Sequence, residues 1–125
     1  MENLKKKLES GADLDVTLAS FPEGHRLFKA VTKELQDMDL SEGTVQKLSM
    51  RLLSSEEIEQ ALWPCMARGT YNGLKINPVL FENAEIRNDF LEVMKEVLAY
   101  NLIPFSRSLG SLSTAIFRRD LDILR

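Results

Sequence analysis

Apolar residues along this chain recur at two periods, and each period predicts a different element. Leu14, Val16 and Leu18 alternate with Asp15 and Thr17, the period-2 pattern of a half-buried strand. Leu27, Phe28, Val31 and Leu35 recur at three- and four-residue spacing and predict an amphipathic helix. Ser20-Phe21-Pro22-Glu23 marks its start: the Ser20 hydroxyl suits an amide three residues on, Glu23 can reach back, and Pro22 fits a first turn where no N–H is needed. Asp37 to Gly43 breaks the pattern, and Thr44 caps a second helix with Val45, Leu48, Leu52 and Leu53 inward. Ser54 with Glu57 repeats the capping box and opens a third helix, with Ile58, Ala61, Leu62, Cys65 and Met66 inward. Pro64 lies inside that run and predicts a kink or an end near Trp63, while Gly69 suits the positive-φ position after a helix.

Residues 70–83 are rich in turn formers. Asn72-Gly73 is a strong tight-turn pair and predicts a small hairpin. From Asn83 the longest helix opens, with Ile86, Phe90, Val93, Met94, Val97, Leu98 and Leu102 on one stripe, ended by Pro104. A last helix through Leu109, Leu112, Ile116 and Phe117 is weaker, because Gly110 and serines at 106, 108, 111 and 113 are poor helix formers. Leu4 to Leu8 reads as one helical turn stopped by Ser10-Gly11. The expected class is mostly α: a compact bundle of four to five helices with at most a short N-terminal strand or small hairpin. One domain spans 1–125, with 1–13 and 118–125 its loosest ends.

Composition narrows the function. The 125 residues are 44% hydrophobic, enough for a core, and the net charge of −3 lacks the basic excess that nucleic-acid binding demands. Apolar runs are short and interrupted by charge, so no membrane span is expected, and Met1-Glu2-Asn3-Leu4-Lys5-Lys6-Lys7 does not lead into a signal region. Cys65, the single cysteine, excludes an intramolecular disulfide, and no Cys/His cluster suggests zinc. The expectation is a soluble protein of a reducing compartment.

Candidate chemistry is sparse. His25 is the only histidine and has no nucleophile or acid partner at catalytic spacing. Cys65 sits on an apolar face without a basic neighbour, so core packing is its expected role. Glu56, Glu57 and Glu59 suit the helix macrodipole at a first turn, and Gly69 with Gly73 lacks the Lys-Ser/Thr of a phosphate loop. Arg118-Arg119 reads as an exposed helix end. No catalytic, cofactor-binding or metal-binding residue is expected, and no enzyme. Trp63, Tyr71, Phe81, Phe105 and Phe117 are mainly core candidates, yet Trp63 beside Pro64, leading into an aromatic turn, also has the form of an interface anchor.

Three stretches together resemble a known family. Leu18-Ala19-Ser20-Phe21-Pro22-Glu23-Gly24 runs into Leu27-Phe28-Lys29-Ala30-Val31-Thr32-Lys33-Glu34-Leu35; Ala61-Leu62-Trp63-Pro64-Cys65-Met66 is followed by Thr70-Tyr71-Asn72-Gly73-Leu74-Lys75-Ile76. Phe81-Glu82 then precedes Arg87-Asn88-Asp89-Phe90-Leu91, Glu96-Val97 and Asn101-Leu102-Ile103-Pro104-Phe105. In that order and spacing, over residues 14–109, the chain resembles the tail assembly chaperones of long-tailed phages and prophages. The resemblance implies a mostly helical, non-catalytic protein that keeps the tape measure protein soluble while tail tube subunits polymerise around it. It also implies a longer frameshifted product that recruits tail tube protein, self-association, action in the host cytoplasm, and absence from the mature virion. Arg118, Arg119 and Asp120 match nothing in the family. Trp63, Tyr71, Leu74 and Phe81 are the residues expected at the partner contact, with Asn72-Gly73 fixing the turn that presents them. Spread-out Met38, Met50, Met66 and Met94 suit either core filling or an adaptable surface. The alternative is a small helical head–tail connector or completion protein of the same particle, which would stay in the finished virion.

Overall fold

A computed structural model describes residues 2–36 and 45–109. It corrects the mostly α expectation. Among the described residues, six helical segments accompany a four-stranded antiparallel sheet, so the class is mixed α and β. The strands are β1 (Leu4–Lys7), β2 (Asp13–Val16), β3 (Gly69–Tyr71) and β4 (Leu74–Lys75), ordered β1-β2-β3-β4. The helices are α1 (Phe21–Gln36), α2 (Val45–Leu53), α3 (Glu56–Met66), α4 (Ala84–Arg87), α5 (Phe90–Leu102) and α6 (Ser106–Leu109). Short 3-10 turns cover Pro78–Glu82 and Ile103–Phe105.

The expected helical turn at Leu4–Leu8 is instead strand β1. A single turn is too short to nucleate alone, whereas the strand at Asp13–Val16 needs a partner edge. Leu4 pairs with Val16 and Lys6 with Leu14. Gly11, at φ +93°, closes the connection, donating its N–H to the Leu8 carbonyl at 2.8 Å. Lys5 and Lys7 then stand opposite Asp15 and Asp13, and Lys7 Nζ lies 3.0 Å from Asp13 Oδ1 on the outer face. Leu4, Leu14, Val16 and Tyr71 are buried on the inner face. Lys6 points the same way and meets the buried Glu96 carboxylate at 2.5 Å.

α1 starts where expected, but the Ser20 hydroxyl does not accept from an amide three residues on: it donates to Glu23 Oε1 at 3.0 Å, and Arg68 Nε donates to the same oxygen at 2.8 Å. Burial raises the Glu23 carboxyl, but the bonds from Ser20 and Arg68 outweigh it and hold the group below its ordinary value. Leu27, Val31 and Leu35 are buried. Asp37 to Thr44 lie outside the described residues, as does everything past Leu109. The cap of α3 is Ser55 rather than Ser54, its hydroxyl accepting from Ile58 N at 3.3 Å. Ser54 Oγ instead donates back to the Met50 carbonyl at 2.6 Å.

Pro64 does not stop α3, which continues to Met66. The partner it removes belongs to Gln60, an exposed residue, where water can satisfy the freed carbonyl. Gly69 is a strand residue without positive φ, in place of the expected helix-end position. The long helix expected from Asn83 is two. Asn83 Oδ1 caps α4 by accepting from Glu85 N and Ile86 N, the chain turns at Asn88-Asp89, and α5 follows. Every α5 residue from Glu96 to Leu102 is buried, so the C-terminal half of this helix is central and covered all round, whereas Leu91 in its first turn is exposed. Its two buried polar side chains are matched: Glu96 by Lys6, and Asn101 by the Val97 carbonyl and the Ala19 N–H.

Candidate functional site

The hairpin expected at Asn72-Gly73 is present. Tyr71 pairs with Leu74, and both central residues have positive φ, +49° and +81°. That is the type I′ geometry whose twist matches the flanking strands. Asn72 further ties the turn to the sheet: its N–H donates to the Asp13 carbonyl at 2.8 Å, and its Oδ1 accepts from Asp13 N at 2.7 Å.

The four residues expected at a partner contact do not share one exposure. Leu74, on β4, is 54% exposed. Trp63, on α3, is half-buried and packs into an aromatic trio: its ring lies 6.1 Å from Phe81 and 5.8 Å from Phe90, and Phe81 meets Phe90 edge-on at 4.9 Å. Phe81 is buried on the 3-10 turn. Tyr71 is buried too, and its hydroxyl donates to Asp89 Oδ2 at 2.5 Å, an oxygen that Ser10 Oγ also approaches at 2.5 Å. Burial, followed by this bond to the carboxylate, raises the Tyr71 hydroxyl above its ordinary value. Tyr71 and Phe81 therefore support the face from behind, while Trp63 and Leu74 reach solvent.

An open groove of about 510 Å³ runs beside Trp63. One wall is a face of α3, from Gln60 through Trp63 and Pro64 to Ala67; the other is the chain from Lys75 through Ile76 and Asn77 to Pro78. Val79, next along, is 75% exposed. The groove is apolar apart from Gln60, Lys75 and Asn77, and Asn77 is held by capping Leu80 N at 3.1 Å. An apolar slot with a few polar groups at its edge is a candidate binding site. Of its residues, sequence reading singled out Trp63 with its neighbour Pro64, and took in Lys75, Ile76, Asn77 and Pro78 only as part of the turn-rich segment 70–83, a candidate functional surface. Lys75 and Pro78 reach the site through the β3–β4 reversal, which carries no apolar period of its own, and Ile76 backs that wall fully buried. Phe90, read as one position of a helical stripe, packs its ring 5.8 Å from Trp63.

The remaining candidates are structural. His25 stacks on Phe21 at 5.2 Å. Cys65 is fully buried, its Sγ 3.7 Å from the Ala61 carbonyl, and burial first and the Glu23 charge second push its thiol up to about 11. Glu57 pairs with Lys33 at 3.3 Å on the surface. Met66 and Met94 fill core, whereas Met50 is exposed; Met38 lies outside the described residues. Among the described residues no cluster of His, Cys, Asp and Glu is placed to hold a metal, and no helix is long and apolar enough to cross a membrane. Comparison with protein families, characterised proteins and solved structures finds no match.

Proposed function

We propose that this protein is a tail assembly chaperone of a long-tailed phage or prophage: a non-catalytic binder that covers apolar helical surface on the tape measure protein until tail tube subunits enclose it. The observation carrying this reading is where the resemblance falls in space. Two of the stretches that bear it, Ala61–Met66 and Thr70–Ile76, supply Trp63 and Pro64 on one wall of the groove and Lys75 and Ile76 on the other. Leu74 adds exposed apolar surface from the same stretch. A holdase must present apolar surface of its own to a partner that exposes an apolar stripe. On this reading the chain acts in the host cytoplasm, self-associates, meets tail tube protein through a longer product, and leaves before the virion is complete.

The test is a pull-down of the tagged full chain from cells assembling the phage, analysed by mass spectrometry beside purified particles. Recovery of a long helical tail protein, with the chain missing from particles, is the expected result. Recovery of portal or head subunits, with the chain retained in particles, would replace the chaperone with a head–tail connector.

A further inference from the structure

The sheet ends at β4, whose outer side has no neighbouring strand among the described residues. Tyr71 and Leu74 close the two-residue turn as a hydrogen-bonded pair, and Ile76 N donates to the Gly69 carbonyl at 3.2 Å. Lys75 lies between these rungs, opposite Thr70, and therefore aims its N–H and C=O away from β3. Asn77 continues the extended backbone at φ −155° and ψ 171°, so its N–H faces the same way. Pro78 has no N–H, and the Asn77 carbonyl is taken by Leu80 N at 3.1 Å, which ends the edge. Three main-chain groups, the N–H and C=O of Lys75 and the N–H of Asn77, are left without a partner among the described residues. Leu74 shares the inner face with Tyr71 and yet is exposed, because nothing flanks it on that side.

We propose that this edge takes an extended segment of a partner chain as a fifth, antiparallel strand, one that alternates apolar with acidic residues. Residues directly opposite across an antiparallel pair carry their side chains on the same face. The residue facing Lys75 then lies on the outer face, in the row of Asp15, Thr70 and Lys75. Its neighbours on either side point inward, beside Leu74 and toward the groove that Ile76 shares with Trp63 and Pro64. That face is apolar, so it selects apolar side chains. Charge selects the outer position: Lys75 is exposed and forms no ion pair among the described residues, so a carboxylate suits it. A second copy's β4 in the same register would set lysine against lysine, which keeps the edge from pairing with itself. The inference goes beyond the function proposed above and does not rest on it. That reading concerns helical surface, whereas this edge reads extended main chain.

The probe is the acetylated, amidated heptapeptide Thr-Val-Glu-Val-Glu-Val-Thr, titrated into the isotope-labelled full chain and followed by NMR. Shifts of the Lys75 and Asn77 amides and of the Trp63 indole are expected, with slower hydrogen exchange at both amides. In the proposed register the glutamate N–H groups point at β4 and the valine N–H groups at solvent. N-methylation of both glutamates should therefore weaken binding at least about tenfold, and N-methylation of the central valine should not. Lys75→Glu should weaken binding of the acidic peptide about threefold and favour a version with lysine in place of glutamate. Lys75 and Asn77 amides that stay unmoved at millimolar peptide would overturn the proposal. So would binding that ignores methylation of the glutamates, or an acidic preference that survives Lys75→Glu. The peptide carries no phage sequence, so its failure leaves the outcome of the pull-down open.

Discussion

At Gly69 an added Cβ would lie 2.8 Å from Val16 Cγ2 and 2.9 Å from the Asp15 carbonyl oxygen, because β3 is drawn tightly against β2. The obstacle is partly backbone and cannot rotate away. Gly69→Ala is expected to lose about 1–3 kcal/mol, as overpacked sites do, seen as a fall of several degrees in Tm; an unchanged Tm would mean the strands can part without penalty. Cys65 offers a second test at this scale. With its thiol pushed up to about 11, its thiolate fraction at pH 8 falls roughly two orders of magnitude below that of a free cysteine. A thiol reagent should therefore label the folded chain at least about a hundredfold more slowly than the urea-unfolded chain. Comparable rates would show that the site is open. The core role of Cys65 was legible in its apolar helical position, but the reason for Gly69 was not, since a strand-to-strand approach involves residues more than fifty positions apart.

β1 shows how an element can depend on a partner far along the chain. Leu4-Lys5-Lys6-Lys7 has little strand propensity, yet Lys6 turns inward because Glu96 waits there at 2.5 Å, ninety residues on. Tyr100 adds a hydrogen bond from its hydroxyl to the Glu2 carbonyl, fastening the same strand to α5. Lys6→Met leaves the Glu96 carboxylate 4% exposed and unpaired, and is expected to destabilise by about 3–5 kcal/mol. Lys6→Met/Glu96→Leu removes both charges and should recover most of that loss in urea denaturation. A double variant no better than the single one would show that the ion pair itself, rather than the stranded charge, supplies the stability. The α4–α5 break has a related origin. Asp89 gives its carboxylate to Tyr71 and Ser10 and makes no side-chain cap on α5, so contacts from one distant strand and one distant turn interrupt an otherwise continuous apolar stripe.

For the molecule as a whole, the buried ionisable groups set an alkaline limit. Cys65, Tyr71 and Tyr100 are all raised, chiefly by burial. A raised group contributes its stability in full below its unfolded pKa and loses it as pH climbs through the folded value. The urea midpoint is therefore expected to hold at neutral pH and to fall from about pH 9 upward, beginning with Cys65; a flat profile to pH 11 would contradict the burial of these groups. The partner face makes a separate prediction. Leu74 and Val79 are exposed, so Leu74→Asp and Val79→Asp should leave Tm within about 1–2 °C and, under the proposed function, weaken binding to the tape measure protein at least about tenfold, as loss of apolar contacts does. Tyr71→Asp would fail differently, placing a second carboxylate beside Asp89 and unfolding the hairpin. Full binding by both surface variants would move the contact elsewhere.

Local patterns in the sequence alone determined α1, the strand at Asp13–Val16, the Asn72-Gly73 reversal and the buried sides of α2, α3 and α5. Each of these is set by residues within one or two turns of one another, through caps, period and the φ preferences of Asn and Gly. Tertiary structure decided the sheet, the burial of the C-terminal half of α5 on all sides, the inward turn of Lys6, and which of Trp63, Tyr71, Leu74 and Phe81 meets solvent. Those outcomes depend on which edges and side chains meet across the fold. A lone strand pattern carries no record of its partners, and an aromatic residue reads the same in sequence whether its ring closes a core or lines a groove.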